Sequence, residues 1–454
     1  MKVTAVLLAA GQGTRMKSDS PKVLHPLCGR PMLWHVLEAL KAAATEKPVV
    51  VIGHGAEAVR KYLGDAADCV IQDPQLGTGH AAMQAEPLLK GKTDLVIVTY
   101  ADMPMLRGET FRRLAETQRL NPGPLSLLTM IADDPRGFGR IVRKPDGTVQ
   151  AIVEEYVATP EQQQIRELNV GAYCFKADWL WEAIHRIQKN PKKGEYYLTD
   201  ILEIAVQENA PVQAVVHDDF METIGINTRV HLSEAEAAMR MRINREHMLN
   251  GVSMMNPAAT YIDAGVKIGR DTLLMPDTYL HGETEIGQGN VIGPNTIIRD
   301  SIIGDRCKIL ASVMQGAVLE DDVDMGPFAR LRKGAHLKSH VHMGNFGEVK
   351  DSTLGEGVKM GHFSYIGNAT IGANTNIGAG TITANYDGEK KNLTEIGEDV
   401  FIGSDTMLVA PLKLGDGART GAGAVVTKNV PEDTLVVGMP ARAIRKVERR
   451  KKKE

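Results

Sequence analysis

Arg15 and Lys22 lie in and just beyond a run of small residues, Leu8-Ala9-Ala10-Gly11-Gln12-Gly13-Thr14, that follows a compact apolar segment. Small residues let the backbone approach a ligand closely, and successive N–H groups can cradle phosphate oxygens. Two nearby cations complete a pattern suited to a nucleoside triphosphate. The dinucleotide fingerprint GxGxxG fails here, because Met16 stands at its third glycine, and the Walker pattern is absent. Asp102 follows a segment that reads as a strand. A carboxylate there can hold Mg²⁺, although a lone aspartate after a strand is more often a turn former. His362 lies far downstream in Gly361-His362-Phe363-Ser364-Tyr365, with Arg332, Glu348 and Lys350 before it and a polar stretch, Ala384–Glu395, after it. An imidazole titrating near neutrality can deprotonate an amine. The cations suit an anionic sugar. The competing reading is a solvated histidine beside an ordinary surface loop.

Two kinds of element must position these residues. Up to residue 227 strand-like and helix-like segments alternate. Strands are expected over 3–8, 48–52, 69–72, 94–100 and 125–131, and helices over 31–43, 57–63, 78–89 and 109–120. That is a doubly wound α/β pattern, mostly parallel, with ligands beyond the carboxyl ends of the strands. Residues 228–250 read as a helical linker, with Ser233 and Glu236 as a capping box and Gly251 as a stop. From residue 251 a six-residue beat takes over. It begins irregularly with Ile268, Ile286, Ile292, Ile298, Ile303 and Ile309. It then runs Val313, Leu319, Met325, Leu331, Leu337, Met343 and Val349, slips by one residue to Leu354, and resumes after the polar break from Ile396 to Val426. A helical period cannot keep every sixth residue on one face, but a parallel β-helix can, with the recurring aliphatic pointing inward. Three hexads make a coil, and about ten coils fit. Flat sides of such a prism invite self-association.

Composition limits the possibilities. The chain has 454 residues, 43% hydrophobic and 24% charged, with a formal net charge of −3. Two or three domains are expected, and there is no global pull toward nucleic acid. No apolar run approaches a membrane span and no secretory cleavage region is present, so a cytoplasmic location follows. Cys28, Cys69, Cys174 and Cys307 lack any zinc or redox spacing and read as reduced thiols.

Further short stretches then acquire a common meaning. Gln72 with Leu76-Gly77-Thr78-Gly79-His80, Tyr100-Ala101-Asp102, Gly137-Phe138-Gly139-Arg140, Ile152-Val153-Glu154, Asn169-Val170-Gly171 and Gly225-Ile226-Asn227 follow the glycine loop in order. This set resembles the sugar-1-phosphate nucleotidyltransferases. With the hexad half, the chain resembles the bacterial bifunctional N-acetylglucosamine-1-phosphate uridylyltransferase/glucosamine-1-phosphate acetyltransferases over nearly its whole length. The resemblance implies an α/β uridylyltransferase domain (1–227), the linker (228–250), and a left-handed β-helix acetyltransferase domain with a basic tail (251–454). It also implies a homotrimer, with acetyl-CoA and UTP as co-substrates. The product, UDP-N-acetylglucosamine, would feed cell-wall and lipopolysaccharide precursors.

The same resemblance implies site residues. Leu8, Ala9, Ala10, Gly11, Arg15, Lys22, Gln72, Gly77, Thr78 and Tyr100 would line the nucleotide site. Gly139, Glu154 and Asn169 would hold the sugar, and Asp102 and Asn227 would bind Mg²⁺, with Asn227 also meeting substrate. His362 would be the acetyltransfer base. Arg332, Lys350, Tyr365, Asn376, Asn385, Tyr386 and Lys391 would surround glucosamine-1-phosphate, and Ala379, Ser404 and Ala422 would meet acetyl-CoA. Three departures from the family pattern stand out: Ala101 for a glycine, Lys333 for a proline, and Met439 where some members carry an arginine near the coenzyme phosphates. Arg442 and Arg445 are the candidate substitutes, and the tail from Arg445 to Glu454 is expected to be mobile. Two rival readings are a single-activity nucleotidyltransferase with a regulatory β-helix, disfavoured by His362 and the Asn385-Tyr386 loop, and a non-catalytic scaffold, disfavoured by Lys22, Asp102 and Asn227.

Overall fold

The computed structural model describes residues 1–191 and 193–447. The chain forms two compact units that meet at Met239/Arg240. That boundary falls inside one continuous helix, Arg229–Leu249. Ser233 is therefore interior to the helix and no capping box forms at its start. Glu236 instead accepts the backbone N–H of Cys28 at 2.8 Å. Gly251, at φ 94°, follows the helix end.

The first unit is built on β1 (Val3–Ala9), β2 (Val49–Ile52), β3 (Asp68–Ile71), β4 (Leu95–Tyr100), β5 (Leu125–Ile131), a hairpin of β6 (Arg140–Arg143) and β7 (Val149–Val153), β8 (Glu167–Lys176) and β9 (Val212–His217). The main sheet runs β9-β5-β8-β4-β1-β2-β3. All neighbours are parallel except β8, which is antiparallel to both β4 and β5. The central strands are apolar on both faces, as a parallel sheet between helices requires: every residue of β1 and β2 is buried. The helix expected over 78–89 is two short helices, Thr78–Met83 and Glu86–Leu89, because Pro87 starts a new turn rather than continuing one. The helix expected over 31–43 is shorter, Met32–Leu40.

The second unit is a parallel β-helix. Strands of two to six residues stack in faces of ten and nine strands, and a third face of twelve ends in the antiparallel pair Thr434–Gly438 and Ala441–Lys446, all counted among the described residues. The beat fills the core: Leu319, Met325, Leu331, Leu337, Met343 and Val349 are each no more than 1% exposed. Val313 breaks the expectation. It is 41% exposed, and Met314 takes the inward place. The alternation of a strand decides this, since a one-residue slip turns a side chain to the opposite face. Arg445 and Lys446 belong to the terminal strand rather than to a mobile tail, and residues 448–454 of that expected tail lie outside the described residues.

Candidate active sites

The carboxyl ends of β1 to β4 converge because the strands are in register. Leu8 pairs with Tyr100, and the N–H of Ala101 reaches the Leu8 carbonyl at 3.0 Å. The small-residue loop and Asp102 therefore leave the sheet side by side. They open on a cleft of about 600 Å³ lined by Leu8, Ala9, Ala10, Gly11, Arg15, Lys22, Gln72, Gly77, Thr78, Tyr100, Asp102 and Asn227. Gln12, Gly13, Thr14, Val23, Gln75, Ala81 and Glu195 line it too. Gly13 sits at φ 60°, where a side chain is disfavoured, and a Cβ there would come within 2.7 Å of the Lys22 Cβ.

The polar centre is compact. Lys22 Nζ donates to Asp102 Oδ2 at 2.5 Å and to Asn227 Oδ1 at 2.9 Å, and Arg15 donates to the same Asn227 oxygen at 2.9 Å. Asn227 arrives from 125 positions downstream because the N–H of Ile226 bonds the Asp102 carbonyl at 2.9 Å. One carboxylate and one amide oxygen thus face a single cationic point. No cluster of three His, Cys, Asp or Glu with metal-holding geometry occurs among the described residues. A hard cation here would have two protein oxygens and would take its other ligands from phosphates and water, which fits Mg²⁺.

Gly139, Glu154 and Asn169 form a second cluster next to Tyr100. They are the ends of β6, β7 and β8: the hairpin packs on β8 through the Leu168–Arg140 pair, and the Asn169 N–H bonds the Gly139 carbonyl at 2.8 Å. Glu154 accepts the Thr199 hydroxyl at 3.2 Å. Burial raises the Glu154 carboxyl above its ordinary pKa, against the opposing effects of that hydrogen bond and of Lys193. Burial, helped by Glu203 and Glu154, pushes Asp200 up to about 6.

The segment 195–200 was missed from sequence. Tyr196 exchanges backbone bonds with Leu76 and Gly79, and the Leu198 N–H donates to Thr78 Oγ1 at 3.0 Å. It joins the nucleotide cleft to the Glu154 cluster. One signal was available: Gly77 stands at φ 97°, and a Cβ there would strike the Tyr196 carbonyl at 2.6 Å, so something must pass close by.

On the β-helix the candidate residues occupy one face, one corner and the edge of the next face. Arg332, Lys350 and Tyr365 are carried by or adjoin the face of ten strands, where Tyr365 pairs with Glu348, and Lys350 with Gly367. Arg332 donates to Glu348 at 3.0 Å. The polar break forms a loop closed by a Tyr386–Lys391 bridge, and Asn385, buried at its base, donates to Asn368 Oδ1 at 2.7 Å. Lys350, and more distantly Arg332, hold the Lys391 pKa below the usual lysine value, so three cations share this spot. His362 is exposed at the corner between Lys359–Met360 and Ser364–Gly367. Ala379, Ser404 and Ala422 occupy the same corner in the following coils, and the coils bond across it: Asp405 N–H to the Ala379 carbonyl at 2.6 Å and Gly423 N–H to the Ser404 carbonyl at 2.8 Å. Asn376 lies on the adjoining face, paired with Lys359 and Phe401.

A doubly wound sheet with a phosphate-sized loop, paired cations and a facing carboxylate, followed by hexad coils, defines a nucleotidyltransferase joined to a hexapeptide-repeat transferase. Residues 5–136 match the MobA-like NTP transferase domain, and residues 265–300 and 393–428 match the bacterial transferase hexapeptide repeats. The chain is 45% identical over 437 residues to the bifunctional protein GlmU of Geobacillus sp. (strain WCH70), covering 96% of this chain and 95% of that one. It is 48% identical over 436 residues to the bifunctional protein GlmU of Heliobacterium modesticaldum, with the same coverage, and 44% identical over 445 residues to that of Streptococcus equi subsp. zooepidemicus, covering 98% and 97%.

The chain belongs to the bifunctional GlmU family. It is a two-step enzyme that acetylates glucosamine-1-phosphate with acetyl-CoA and transfers UMP from UTP to N-acetylglucosamine-1-phosphate, giving UDP-N-acetylglucosamine and pyrophosphate. Among the described residues, no helix is long and apolar enough to cross a membrane.

Proposed function

We propose that the two steps are divided between the two regions: residues 1–227 carry uridylyl transfer, 251–454 carry acetyl transfer, and 228–250 join them. The observation that carries this reading is the convergence of Lys22, Arg15, Asp102 and Asn227 in a cleft far in sequence from His362 and the Arg332/Lys350/Lys391 cluster.

In the first region a sugar-phosphate oxygen attacks the α-phosphorus of UTP in line and pyrophosphate departs. Such a reaction asks the protein for positioning and charge neutralisation. The loop N–H groups of residues 10–14 and the Arg15 and Lys22 cations cradle the triphosphate. Gln72, whose amide nitrogen bonds the Gly77 carbonyl at 2.8 Å, sets the turn that faces the uracil. Gly139, Glu154 and Asn169 hold the sugar. Asp102 and Asn227 would hold Mg²⁺, which when bound neutralises charge on the phosphates.

In the second region the amine of glucosamine-1-phosphate attacks the thioester carbonyl, His362 takes the amine proton, and the coenzyme thiol leaves. Arg332, Lys350 and Lys391 bind the sugar phosphate. Tyr365, Asn376, Asn385 and Tyr386 orient the ring, and Ala379, Ser404 and Ala422 line the coenzyme's path along the corner. Met439 offers no charge there. Arg442 and Arg445, on the terminal strand, are the replacements closest in sequence.

We propose a homotrimer, as the family resemblance implies, and the exposed apolar surface supports self-association. Ile297, Val313, Met407 and Val409 are exposed on the face of ten strands. At the neighbouring corner the rings of Phe328 and Phe346 stack at 5.5 Å, with Phe363 exposed in the next coil. Apolar residues aligned in this way favour burial against further copies. We place the protein in the cytoplasm.

One assay tests the division. With glucosamine-1-phosphate, acetyl-CoA, UTP and Mg²⁺ supplied, free thiol and pyrophosphate are followed separately. His362→Ala abolishes thiol release and, when N-acetylglucosamine-1-phosphate is provided, leaves pyrophosphate release intact. Asp102→Ala does the reverse. Loss of both signals in either variant would refute the division.

A further inference from the structure

The Glu154 cluster poses an electrostatic problem. Glu154 and Asp200 lie within electrostatic reach of each other, Glu203 also acts on Asp200, and Glu155 follows Glu154 in the chain; the carboxyls of Glu154 and Asp200 are both raised by burial. The substrate to be admitted is itself a phosphate ester and is anionic. Bringing an anion against partly buried carboxylates is unfavourable unless a cation offsets them. The other nearby cations have roles elsewhere, Arg15 and Lys22 being assigned above to the triphosphate. Arg140, 1% exposed, is engaged by the Phe138 carbonyl and by Glu155 at 3.4 Å, and Arg15 and Lys22 are bound to Asp102 and Asn227.

One cation differs. Lys193 is exposed, and its ammonium rests 4.0 Å from the centroid of the Tyr156 ring, two residues beyond Glu154. Its field reaches Glu154 and opposes the rise of that carboxyl. It projects from a turn that is well tied at its base. Asn190 N–H bonds the Glu195 carbonyl and Gly194 N–H bonds the Asn190 carbonyl, both at 2.8 Å, and the Asn190 side chain accepts the Lys193 N–H at 3.2 Å. Glu195 then lines the nucleotide cleft. Below the turn, Tyr197 lies beside Tyr156, ring centroids 6.5 Å apart. An exposed cation–π contact is weak, so the ammonium can leave the ring at little cost, and its four-carbon stem gives it reach.

We propose that Lys193 is a substrate-binding cation of the uridylyl site: it leaves the Tyr156 ring to meet the incoming sugar 1-phosphate and offsets the carboxylates of Glu154, Glu155 and Asp200. The proposal rests on the placement of the sugar at Gly139, Glu154 and Asn169. It predicts a contribution to binding the sugar phosphate and not to the chemical step, so KM changes and kcat does not.

The test is steady-state uridylyl transfer by the full chain, varying N-acetylglucosamine-1-phosphate and UTP separately, at low and high ionic strength. Lys193→Met raises KM for the sugar phosphate about tenfold at low salt, leaves kcat and the KM for UTP within about twofold, and flattens the salt dependence of the sugar-phosphate KM. Lys193→Arg keeps the low-salt KM near that of the parent. Asn169→Ala, run in parallel, reads the subsite itself. If Asn169→Ala raises the sugar-phosphate KM and Lys193→Met does not, the role of Lys193 is refuted while the subsite stands. If neither variant changes it, the subsite lies elsewhere and both ideas fall. An equal rise in both KM values in Lys193→Met marks a disturbed loop and also overturns the proposal.

Discussion

The two regions build their sites in opposite ways. In the α/β region one chain makes a concavity: loops leaving three parallel strands, β1, β3 and β4, surround about 600 Å³, and twelve of the residues expected at the nucleotide and metal sites line it. In the β-helix, the candidate residues stand on the outside of a prism, on one face, a corner and the edge of the next. A doubly wound sheet has a crevice where its crossovers diverge, so its ligands can be enclosed by a single chain. A stacked coil fills its own interior with side chains, and the candidate residues are left on its outer surface. In the proposed homotrimer, a site there would take its far wall from another copy.

Breaking the prism locally should have the largest effect and should be confined to one activity. Gly344 packs under the carbonyl of Gly361, next to His362, and a Cβ would stand 1.9 Å from that oxygen. Gly344→Ala is expected to destabilise the β-helix by about 1–3 kcal/mol, since backbone must shift to admit the methyl group. Acetyl transfer should fall at least tenfold, about 1.4 kcal/mol in the barrier, with uridylyl transfer retained. Thermal unfolding and the two activities measured on one preparation check this.

The borrowed wall is tested by complementation. If the site spans two subunits, co-expressed His362→Ala and Tyr386→Ala chains should recover acetyl transfer that neither homogeneous variant shows, whereas a site within one chain gives no more than the sum of the two. Co-expressed lesions in the α/β cleft, Lys22→Ala with Asp102→Ala, should give no recovery.

A smaller, pH-dependent effect is expected from Lys391. Its pKa is held below the ordinary value, chiefly by Lys350. A lysine is charged only below its pKa, so affinity for glucosamine-1-phosphate should weaken as pH rises through that lowered value, earlier than for an isolated lysine. Lys391→Met should raise KM at neutral pH and remove this part of the alkaline rise.

The smallest effect concerns stability in the α/β region. Asp200 titrates at about 6 in the folded protein, above its unfolded value, because burial disfavours its charge. The folded state therefore holds the proton more tightly, and this group costs stability increasingly as pH rises from its unfolded pKa toward 6, levelling off above that. Asp200→Asn should raise the melting temperature of this unit by on the order of 2 °C at pH ~7.5, with the gain shrinking by pH ~5. An equal gain at both values would show that the carboxyl is not titrating as described.

How much was legible depended on whether the governing interaction was local. The hexad beat announced the β-helix, because each inward residue contacts its equivalent one coil away and obeys one repeated rule. Where the repeat shortened, the rule named the wrong neighbour, and Val313 points outward while Met314 packs. The first five strands of the α/β region were visible as apolar runs, whereas the β6–β7 hairpin and β9 were not. The antiparallel β8 was not, since strand direction within a sheet depends on which partners the chain finds, and neither was the break at Pro87 placed within the expected helix.

The sequence by itself determined the two architectures, the glycine loop with Arg15 and Lys22, and the stretch where the hexads fail, because these follow from periodicity, side-chain size and backbone freedom. Only the tertiary structure decided what meets what. Asn227 reaches Asp102 through a single backbone bond from Ile226. The segment 195–200 joins the nucleotide cleft to Glu154, and Lys193 comes to rest on Tyr156. Those pairings span tens to more than a hundred positions, and no local rule specifies them. They exist because burying the sheet and the hairpin leaves these ends at the same place.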